Sequence, residues 1–401
     1  MLHSSTKKRI ALAIAASALL GSAFSGGSAG ADPKQLTAFV GTGSDTTQDV
    51  MNALSGHANG VNFTPAQSSV ASGQRQLISF NATNIGTGIA DNCITPKVGG
   101  PSFDRPNGST NGMRALSRAQ DGTGWGSAAC GGLADVSGLV DYARSSSGTS
   151  NAAATDLTFI PFGRDAVSFA YYRAGGAGGA VTSLTRPQLT SLYTTGSLSV
   201  SNGTENVTII PCGIQTGSGT FTFWNGVHAA AGTENAATTV CNLLGGTGRI
   251  QEHDAAGLKA KGDLAAAGVQ VVVGFSAANF VAKSNGVAIG NPATFSVGIG
   301  SISDNGAGVN LGNPVTGTAP NMLPVSTFYS SSIFGRDVYN VLPTAFVAGP
   351  GNNDLKTLFI GSTSGVCSAT AIVQQFGYLS LGASCGSTSM TGPLRSGQVN
   401  A

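Results

Sequence analysis

Serine, threonine and glycine cluster where helices are predicted to begin in this chain. Ser218, Gly219 and Thr220 open one such helix, and Ser44 to Thr46 open another. A helix N-terminus offers unpaired backbone N–H groups and the positive end of its dipole, hydroxyls add donors, and glycine lets the backbone approach a ligand closely. An oxyanion taken out of water needs such donors. The pattern therefore favours an anion-binding site over a linker or a nucleophile.

A third stretch, from Asp141 to Ser150, has the same small hydroxyl residues and adds a cation. The guanidinium of Arg144 can donate two parallel hydrogen bonds to a tetrahedral oxyanion. Each stretch alone has an ordinary structural explanation, because these residue types often only cap helices. Their order and their strand–turn–helix context are what favour binding.

Serine catalysis is disfavoured by the order of residues along the chain. A G-x-S-x-G stretch occurs at 382–386, but an α/β-hydrolase needs a histidine after the serine, and the last histidine is His253. Ser384 is better explained as a turn residue beside a disulfide, and Ser218 has only His228, farther along the same predicted helix. No nucleotide-binding motif occurs, and no cysteine–histidine set has metal-ligand spacing. We therefore expect no enzyme, no cofactor and no metal, although one sequence leaves paired-carboxylate catalysis open.

Strands and helices are predicted to alternate along the chain, which indicates an α/β fold with partly parallel sheets. Two segments rich in Gly, Asn, Pro and Ser, 93–130 and 285–325, are predicted as long ordered loops or hairpins. The predicted strands are 37–41, 165–172, 207–210 and 269–275.

Helix boundaries follow from capping patterns. One helix is predicted from Asp45 as its N-cap, with Gln48 as the capping-box partner, to Gly56. A second begins at Thr185, with Pro187 in its first turn and Gln188 as its partner, and ends at Gly196. A third extends from about Ser218 to Ala231.

Composition and the first residues indicate a secreted protein. Charged residues make up only 9% of the 401, and glycine is abundant with 59. Lys7 to Arg9 precede an apolar run, and Ala29-Gly30-Ala31 supplies a cleavage site, so residues 1–31 are predicted as a signal peptide. An uncleaved membrane anchor is the alternative, but the run is short for a span. Removing residues 1–31 takes the formal net charge from +2 to −1, because three basic and no acidic residues are lost. A nucleic-acid partner is therefore disfavoured.

Six cysteines in a secreted chain suggest three disulfides. Fifteen pairings are possible. The simplest set joins neighbours in sequence: Cys93 with Cys130, Cys212 with Cys241, and Cys367 with Cys385.

Seven segments, spread over about residues 36–380, carry a resemblance to a known family. They are GTGSDTTQDVMNAL (41–54), RPNGSTNGMRAL (105–116), DYARSSSG (141–148), DLTFIPFGRDAVSFAYY (156–172), LTRPQLTSLYTTGSL (184–198), QTGSGTFTFW (215–224) and FGRDVYNVLP (334–343). Together they resemble the phosphate-binding proteins of ABC transporters, which have the type 2 periplasmic-binding-protein fold. The chain looks most similar to secreted substrate-binding-domain proteins of actinobacteria.

The resemblance implies two α/β lobes with mixed sheets and a ligand held in the cleft between them. Residues 32–165 and 276–401 would form lobe I, residues 166–275 would form lobe II, and hinges would lie near 160–166 and 275–285. The implied ligand-binding residues are Thr42, Ser44, Asp45, Arg144 and Ser145 of lobe I, and Gly217, Ser218, Gly219 and Thr220 of lobe II.

The sequence departs from the family at two positions that bear on phosphate. Gln215 and Thr216 stand where relatives have an arginine, and the segment YARSSSG lacks the family's aspartate. In phosphate binders a carboxylate accepts the proton of hydrogen phosphate, which discriminates against sulfate. Our hypothesis is that Arg144 replaces the lost cation and Asp45 replaces the lost acceptor.

We expect a monomeric, secreted or cell-wall-associated protein that binds a small oxyanion, with phosphate first, for uptake by an ABC permease. Another anion or a small neutral ligand stays open. The alternative is an extracellular surface or matrix protein that keeps the fold without transport and binds carbohydrate or another ligand. The absence of a cysteine near the predicted cleavage point favours this alternative, because it leaves no lipid tether.

Overall fold

Strands and helices alternate along the chain and build a mixed α/β fold, which confirms the predicted class. The structure is a computed structural model and describes residues 38–66, 77–83, 93–149, 151–175, 178–230, 234–351 and 353–399. The predicted signal peptide lies outside the described residues. No helix among those residues has the length and apolar character that a membrane crossing requires.

The strands of the described chain are short apart from two long ones, β8 and β19. They are β1 (Phe39–Gly43), β2 (His57–Ala58), β3 (Val61–Asn62), β4 (Leu77–Ser79), β5 (Cys93–Ile94), β6 (Phe103–Asp104), β7 (Tyr142–Ser145), β8 (Leu157–Arg173), β9 (Ser183–Thr185), β10 (Leu198–Ser201), β11 (Asn206–Pro211), β12 (Gly213–Ile214), β13 (Arg249–Ile250), β14 (Gln270–Ser276), β15 (Gly298–Ile299), β16 (Ser301–Asp304), β17 (Val315–Thr316), β18 (Leu323–Pro324), β19 (Gly335–Pro343) and β20 (Met390–Gly392).

The α-helices of the described chain are also mostly short. They are α1 (Gln48–Leu54), α2 (Gly108–Asp121), α3 (Arg186–Thr195), α4 (Gly219–His228), α5 (Asn235–Leu243), α6 (Ala255–Leu264), α7 (Ala277–Ser284), α8 (Ser326–Tyr329), α9 (Thr344–Ala348), α10 (Asn353–Phe359), α11 (Gly365–Ser368) and α12 (Thr370–Gln375).

One mixed sheet extends through the molecule, and β8 is the strand that connects its two parts. Its order is β10-β11-β14-β8-β19-β7-β1-β4, and β15 and β20 also pair with β8. Residues 157–166 of β8 pair with β19, and residues 167–173 pair with β14. We call the part with β4, β1, β7, β19 and residues 157–166 half-sheet A. The part with β10, β11, β14 and residues 167–173 is half-sheet B.

Apolar side chains cover both faces of half-sheet A. Because successive side chains of a strand point to opposite faces, Phe39 packs into one core cluster and Val40 into another. A third cluster surrounds half-sheet B and includes Trp224 of α4 and Phe275 of β14. A core on each face explains why the central strands are buried along most of their length.

The division into lobes implied by the resemblance remains a prediction, and one of its boundaries fits the packing poorly. Residues 276–401 are assigned to lobe I, yet Ile299, Ile302 and Phe328 pack in the core of half-sheet B. They do so because β15 pairs with the second part of β8, and β16 pairs with β9. The segment from β15 to α8 therefore packs with half-sheet B.

The prediction of a loop or hairpin for 93–130 is wrong, because α2 occupies its middle. Glycine and polar residues give this segment low helix propensity. Close packing of α2 on β1 compensates for this low propensity. The approach is so close that a Cβ at Gly112 would lie 2.5 Å from the Cα of Gly43. The helix is glycine-containing because it packs directly on the backbone of half-sheet A. Short strands and a hairpin of β17 and β18 fit the prediction for 285–325.

The predicted disulfides are confirmed. Cys93 is bonded to Cys130, Cys212 to Cys241, and Cys367 to Cys385. The pair formed by Cys212 and Cys241 is fully buried and joins the end of β11 to α5.

Candidate functional site

The turn between β1 and α1 lies where the two half-sheets meet, and Asp45 faces the other half. The predicted capping by Asp45 is wrong, because α1 begins later, after Thr47, and no side chain caps it. Oδ2 of Asp45 instead accepts hydrogen bonds from Nε2 of Gln215 at 3.3 Å and from Nε2 of Gln251 at 3.4 Å. Asp45 therefore connects half-sheet A to the loops of half-sheet B.

The start of α4 matches the prediction. Ser218 is the N-cap, and its Oγ accepts a hydrogen bond from the backbone N–H of Phe221 at 3.1 Å. The helix ends earlier than predicted, at His228, because Ala229 has a φ of 50°, in the left-handed region. Gly217 accepts a hydrogen bond from the N–H of Thr110 on α2 at 3.0 Å. The turn before α4 therefore rests directly on the N-terminus of α2.

Thr46 lies at the centre of the contacts between the halves. Its Oγ1 is 3.2 Å from Oγ1 of Thr220 and 3.0 Å from Oε1 of Glu252. It is also 3.0 Å from Nε2 of His253. The backbone oxygen of Thr46 accepts a hydrogen bond from Nδ2 of Asn279 at 2.7 Å. All these groups are buried, so water competes little for their hydrogen bonds.

The guanidinium that reaches this junction belongs to Arg336 of β19. Its Nη2 donates to Oγ1 of Thr220 and to Oδ2 of Asp165, both at 2.8 Å. Oδ1 of Asp165 accepts from Oγ of Ser276 at 2.8 Å, so the ion pair lies where β8, β14 and β19 meet. Arg336 is not among the residues predicted from the sequence, although it lies in FGRDVYNVLP, one of the seven segments that carry the resemblance.

Arg144, the expected ligand anchor, is placed differently. Its guanidinium donates to the backbone oxygens of Ser44 and Gly43 at 3.0 Å each and to Oγ of Ser79 at 2.7 Å. Burial lowers its pKa to about 10, so it stays charged at neutral pH. Arg144 therefore holds the β1–α1 turn in shape, and its donors are taken by protein oxygens. Neighbouring Ser145 donates its hydroxyl to the backbone oxygen of Ser147 at 2.7 Å.

Several buried polar atoms at the junction have no hydrogen-bond partner among the described residues. Buried polar groups normally do have partners, so exceptions need an explanation. Three of them belong to predicted site residues at the end of β1 and on the β1–α1 turn, and two belong to residues that were not predicted from the sequence: Thr42 Oγ1, Ser44 Oγ, Asp45 Oδ1, Glu252 Oε2 and Arg336 Nη1.

A cavity of about 340 Å³ adjoins the junction. Among its lining residues, four carboxylates face one lysine and one histidine: Asp45, Asp49, Glu252, Asp254, Lys283 and His253. Burial raises the pKa of Asp49 and lowers the pKa of Lys283. Side-chain amides of Gln48, Asn59, Asn81, Gln251 and Asn279 complete much of the polar wall.

The loop after β13 brings in residues that no sequence signal indicated. Glu252 and His253 are buried, and His253 has a φ of 59°, in the left-handed region that few residues other than glycine adopt. They lie more than 200 positions after Asp45 along the chain, so neither spacing nor a motif could relate them. Only the contact between the half-sheets brings the three together.

Six of the nine predicted site residues fall into two groups. Asp45, Ser218, Gly219 and Thr220 lie at the junction together with Thr46 and Arg336. Arg144 and Ser145 lie behind the β1–α1 turn and contact protein oxygens.

The chain matches no known protein family and no curated protein. Several solved structures are similar to it. A phosphate transport receptor from Vibrio cholerae is 13% identical, with 85% of this chain and 99% of that chain covered and a TM-score of 0.44. A phosphate-binding protein from Stenotrophomonas maltophilia is 14% identical, covers 87% and 92% of the two chains and has a TM-score of 0.39. An ancestral soluble variant of the human phosphate-binding protein is 11% identical, covers 86% and 91% and has a TM-score of 0.46. At these identities and TM-scores the similarities assign no function to this chain.

Proposed function

We propose that this chain is a secreted, non-enzymatic solute-binding protein that holds a small oxyanion, phosphate first, where its two half-sheets meet. The observation that carries the proposal is the set of buried, unpartnered polar atoms on Thr42, Ser44, Asp45 and Arg336. Each such atom costs free energy, on the order of 1–3 kcal/mol, unless a ligand supplies its hydrogen bond. Three disulfides agree with export to an oxidising compartment.

Hydrogen phosphate suits this set because it both accepts and donates hydrogen bonds. Its oxygens would accept from Nη1 of Arg336 and from the hydroxyls, and Asp45 Oδ1 would accept its proton. Sulfate has no proton to donate at neutral pH, so its negative oxygens would be repelled by the carboxylate of Asp45. An oxyanion would also take over hydrogen bonds that now connect the halves directly, such as that between Thr46 and Thr220. Delivery to an ABC permease is part of this proposal.

The test is calorimetric titration of chelator-treated protein with phosphate, arsenate and sulfate, with fluorescence of the buried Trp224 followed in parallel. We expect phosphate and arsenate to bind and sulfate to bind much more weakly. Ligand at a hundred times its Kd should stabilise the protein by about 2.7 kcal/mol. The absence of both heat and thermal stabilisation at millimolar phosphate would contradict the proposal.

A second candidate is a protein that keeps the fold and binds a neutral carbohydrate without transport. The lining of the 340 Å³ cavity favours it, because carboxylates and amides both form hydrogen bonds with sugar hydroxyls, whereas the four carboxylates repel an anion. Titration of the same protein with neutral oligosaccharides separates the two. Binding of a sugar with no response to phosphate would favour the second candidate.

A further inference from the structure

We propose that Asp45, Glu252 and His253 form a binding site for a divalent transition-metal ion, with Zn²⁺ as the best match. Each residue offers one ligand atom, and the three atoms lie within 4.8 Å of one another. Imidazole nitrogen and carboxylate oxygen are both ligands that Zn²⁺ accepts in proteins. Ca²⁺ would need six to eight oxygen ligands, which the set does not supply.

The unpartnered carboxylate oxygens are the second observation. Oδ1 of Asp45 and Oε2 of Glu252 have no hydrogen-bond partner among the described residues. The two residues are only 6% and 4% exposed, and both line the 340 Å³ cavity. Burying a carboxylate oxygen without a hydrogen-bond partner or a bound cation is unfavourable. A bound cation would supply the missing charge and the missing ligands at once.

Neighbouring groups already hold the three side chains in place. Oε1 of Glu252 accepts from the N–H of Thr46 at 3.1 Å, and Oδ2 of Asp45 accepts from Gln215. These bonds leave the second oxygen of each carboxylate for the ion, as outer contacts of metal ligands commonly do. The ring of His253 packs edge-on against Phe275, with centroids 5.2 Å apart.

Coordination by His253 requires a change in its hydrogen bonds. Its Nδ1 accepts a hydrogen bond from the N–H of Ser276 at 3.3 Å, and its Nε2 lies 3.0 Å from Thr46 Oγ1. Coordination through Nε2 would replace the contact with Thr46. If the ring proton then moved to Nδ1, the hydrogen bond from Ser276 would be lost as well, so the bound ion must offset both.

The ion would join the two halves of the molecule. Asp45 follows β1 of half-sheet A, whereas Glu252 and His253 follow β13 on the side of half-sheet B. Three protein ligands also leave a coordination position open, and the cavity lies beside it. Binding should therefore stabilise the contact between the two half-sheets, and water or an anion would complete the coordination.

The experiment uses untagged protein stripped with a chelator, in phosphate-free buffer. We expect retention of one Zn²⁺ per chain by elemental analysis, a higher melting temperature with Zn²⁺ than with Mg²⁺ or Ca²⁺, and a visible absorption spectrum with Co²⁺. The isosteric variants Asp45→Asn and Glu252→Gln should lose all three responses. The control His57→Asn, which changes an exposed histidine, should keep them.

Two results would overturn the proposal: no stoichiometric Zn²⁺ in the parent protein, or equal binding by the Glu252→Gln variant. Melting of each variant without metal verifies that it is folded, and Asp45→Asn offers a second test if Glu252→Gln is not. The proposal does not rest on the oxyanion function. Asp45 belongs to both proposed sites. Metal binding is therefore measured in phosphate-free buffer, and phosphate binding is measured with chelator-treated protein.

Discussion

The two buried arginines near the junction have different surroundings, and therefore different expected roles. Arg144 donates to protein oxygens through Nε and both terminal nitrogens, whereas Nη1 of Arg336 has no partner among the described residues. Asp165 offsets the charge of Arg336. The unpartnered N–H groups on Nη1 of Arg336 therefore matter more for ligand binding than the net charge of the pair. We therefore place the cationic contact to an oxyanion on Arg336.

Replacing Arg336 by lysine should weaken phosphate binding by roughly tenfold or more, because lysine keeps the charge beside Asp165 but loses the planar pair of donors. Calorimetric titration of the chelator-treated variant measures the change. Alanine is a poorer choice, since it would leave Asp165 buried and unpaired at a cost of about 3–5 kcal/mol.

Arg164 provides a matched control on the same two strands. It pairs with Asp337 at 2.8 Å, and its side chain is partly exposed. Arg164→Lys should leave phosphate affinity unchanged. Equal effects of the two substitutions would show that Arg336 acts only through the stability of the sheet.

At the residue scale, the sequence could identify the turns but not their partners. Ser218 was found because a strand, a cap and a helix follow one another locally. Arg336 and His253 reach the site from a distant strand and a distant loop. Arg336 lies in a segment that carries the resemblance, but no local pattern indicates that either side chain faces the site. Arg144 was placed in the ligand set because its neighbours resemble a binding loop, whereas its guanidinium faces the backbone of β1.

Among the elements, the contact between the turn before α4 and the N-terminus of α2 sets how closely the halves approach. A Cβ at Gly217 would lie 2.7 Å from the backbone oxygen of Asn107, and a Cβ at Gly108 would lie 2.2 Å from the oxygen of Gly217. Only glycine at these positions allows such an approach.

Gly217→Ala should therefore move the halves apart, destabilise the folded protein by about 1–3 kcal/mol and weaken phosphate binding correspondingly. Thermal unfolding and calorimetry measure the two effects. Gly226→Ala is the matched control within α4, because a Cβ there meets no atom within 4 Å. That control should be stabilising by about 0.5–1 kcal/mol. Unchanged phosphate affinity in the Gly217→Ala variant would mean that this close contact is not needed for ligand binding.

Elements with strong local signals were predictable, and those formed by tertiary contact were not. Thr185, Pro187, Gln188 and Gly196 bound α3 as predicted, with both hydrogen bonds of the capping box present. The helix α2 was missed because its glycine and polar residues favour a loop until β1 packs against them. The sequence also could not show which half-sheet the residues after 276 pack against, because β15 pairs with a strand more than 100 positions earlier.

On the scale of the whole molecule, one buried histidine should make stability depend on pH. The ring of His228 stacks on Tyr193 with centroids 4.2 Å apart, and its Nδ1 accepts from the N–H of Ala230 at 3.1 Å. Burial lowers its pKa to about 4. In the unfolded chain the pKa would be about 6.5.

Between these two values the unfolded state binds more protons at this residue, so the contribution of His228 to stability should be complete above pH 6.5 and should be lost as the pH drops toward 4. Burial raises the pKa of Glu234 to about 7, and this group contributes in the opposite direction over the same window, so the effect of His228 is taken from the difference between the parent protein and a variant. The loss from His228 should reach at most about 3 kcal/mol. Chemical denaturation at several pH values measures it. His228→Phe keeps the stacking and should show a shallower decline over the same window. An identical decline in both proteins would assign the effect to other groups.

The continuous strand β8 has a consequence for how the molecule can be divided. Its first ten residues complete half-sheet A and the rest complete half-sheet B, without a break between them. Cutting the chain at this point would leave each fragment with an open sheet edge, and such edges invite aggregation. The protein therefore offers no natural cut site at the boundary between its halves. A split reporter or a truncated antigen would have to be designed around a surface loop instead, with β8 left whole.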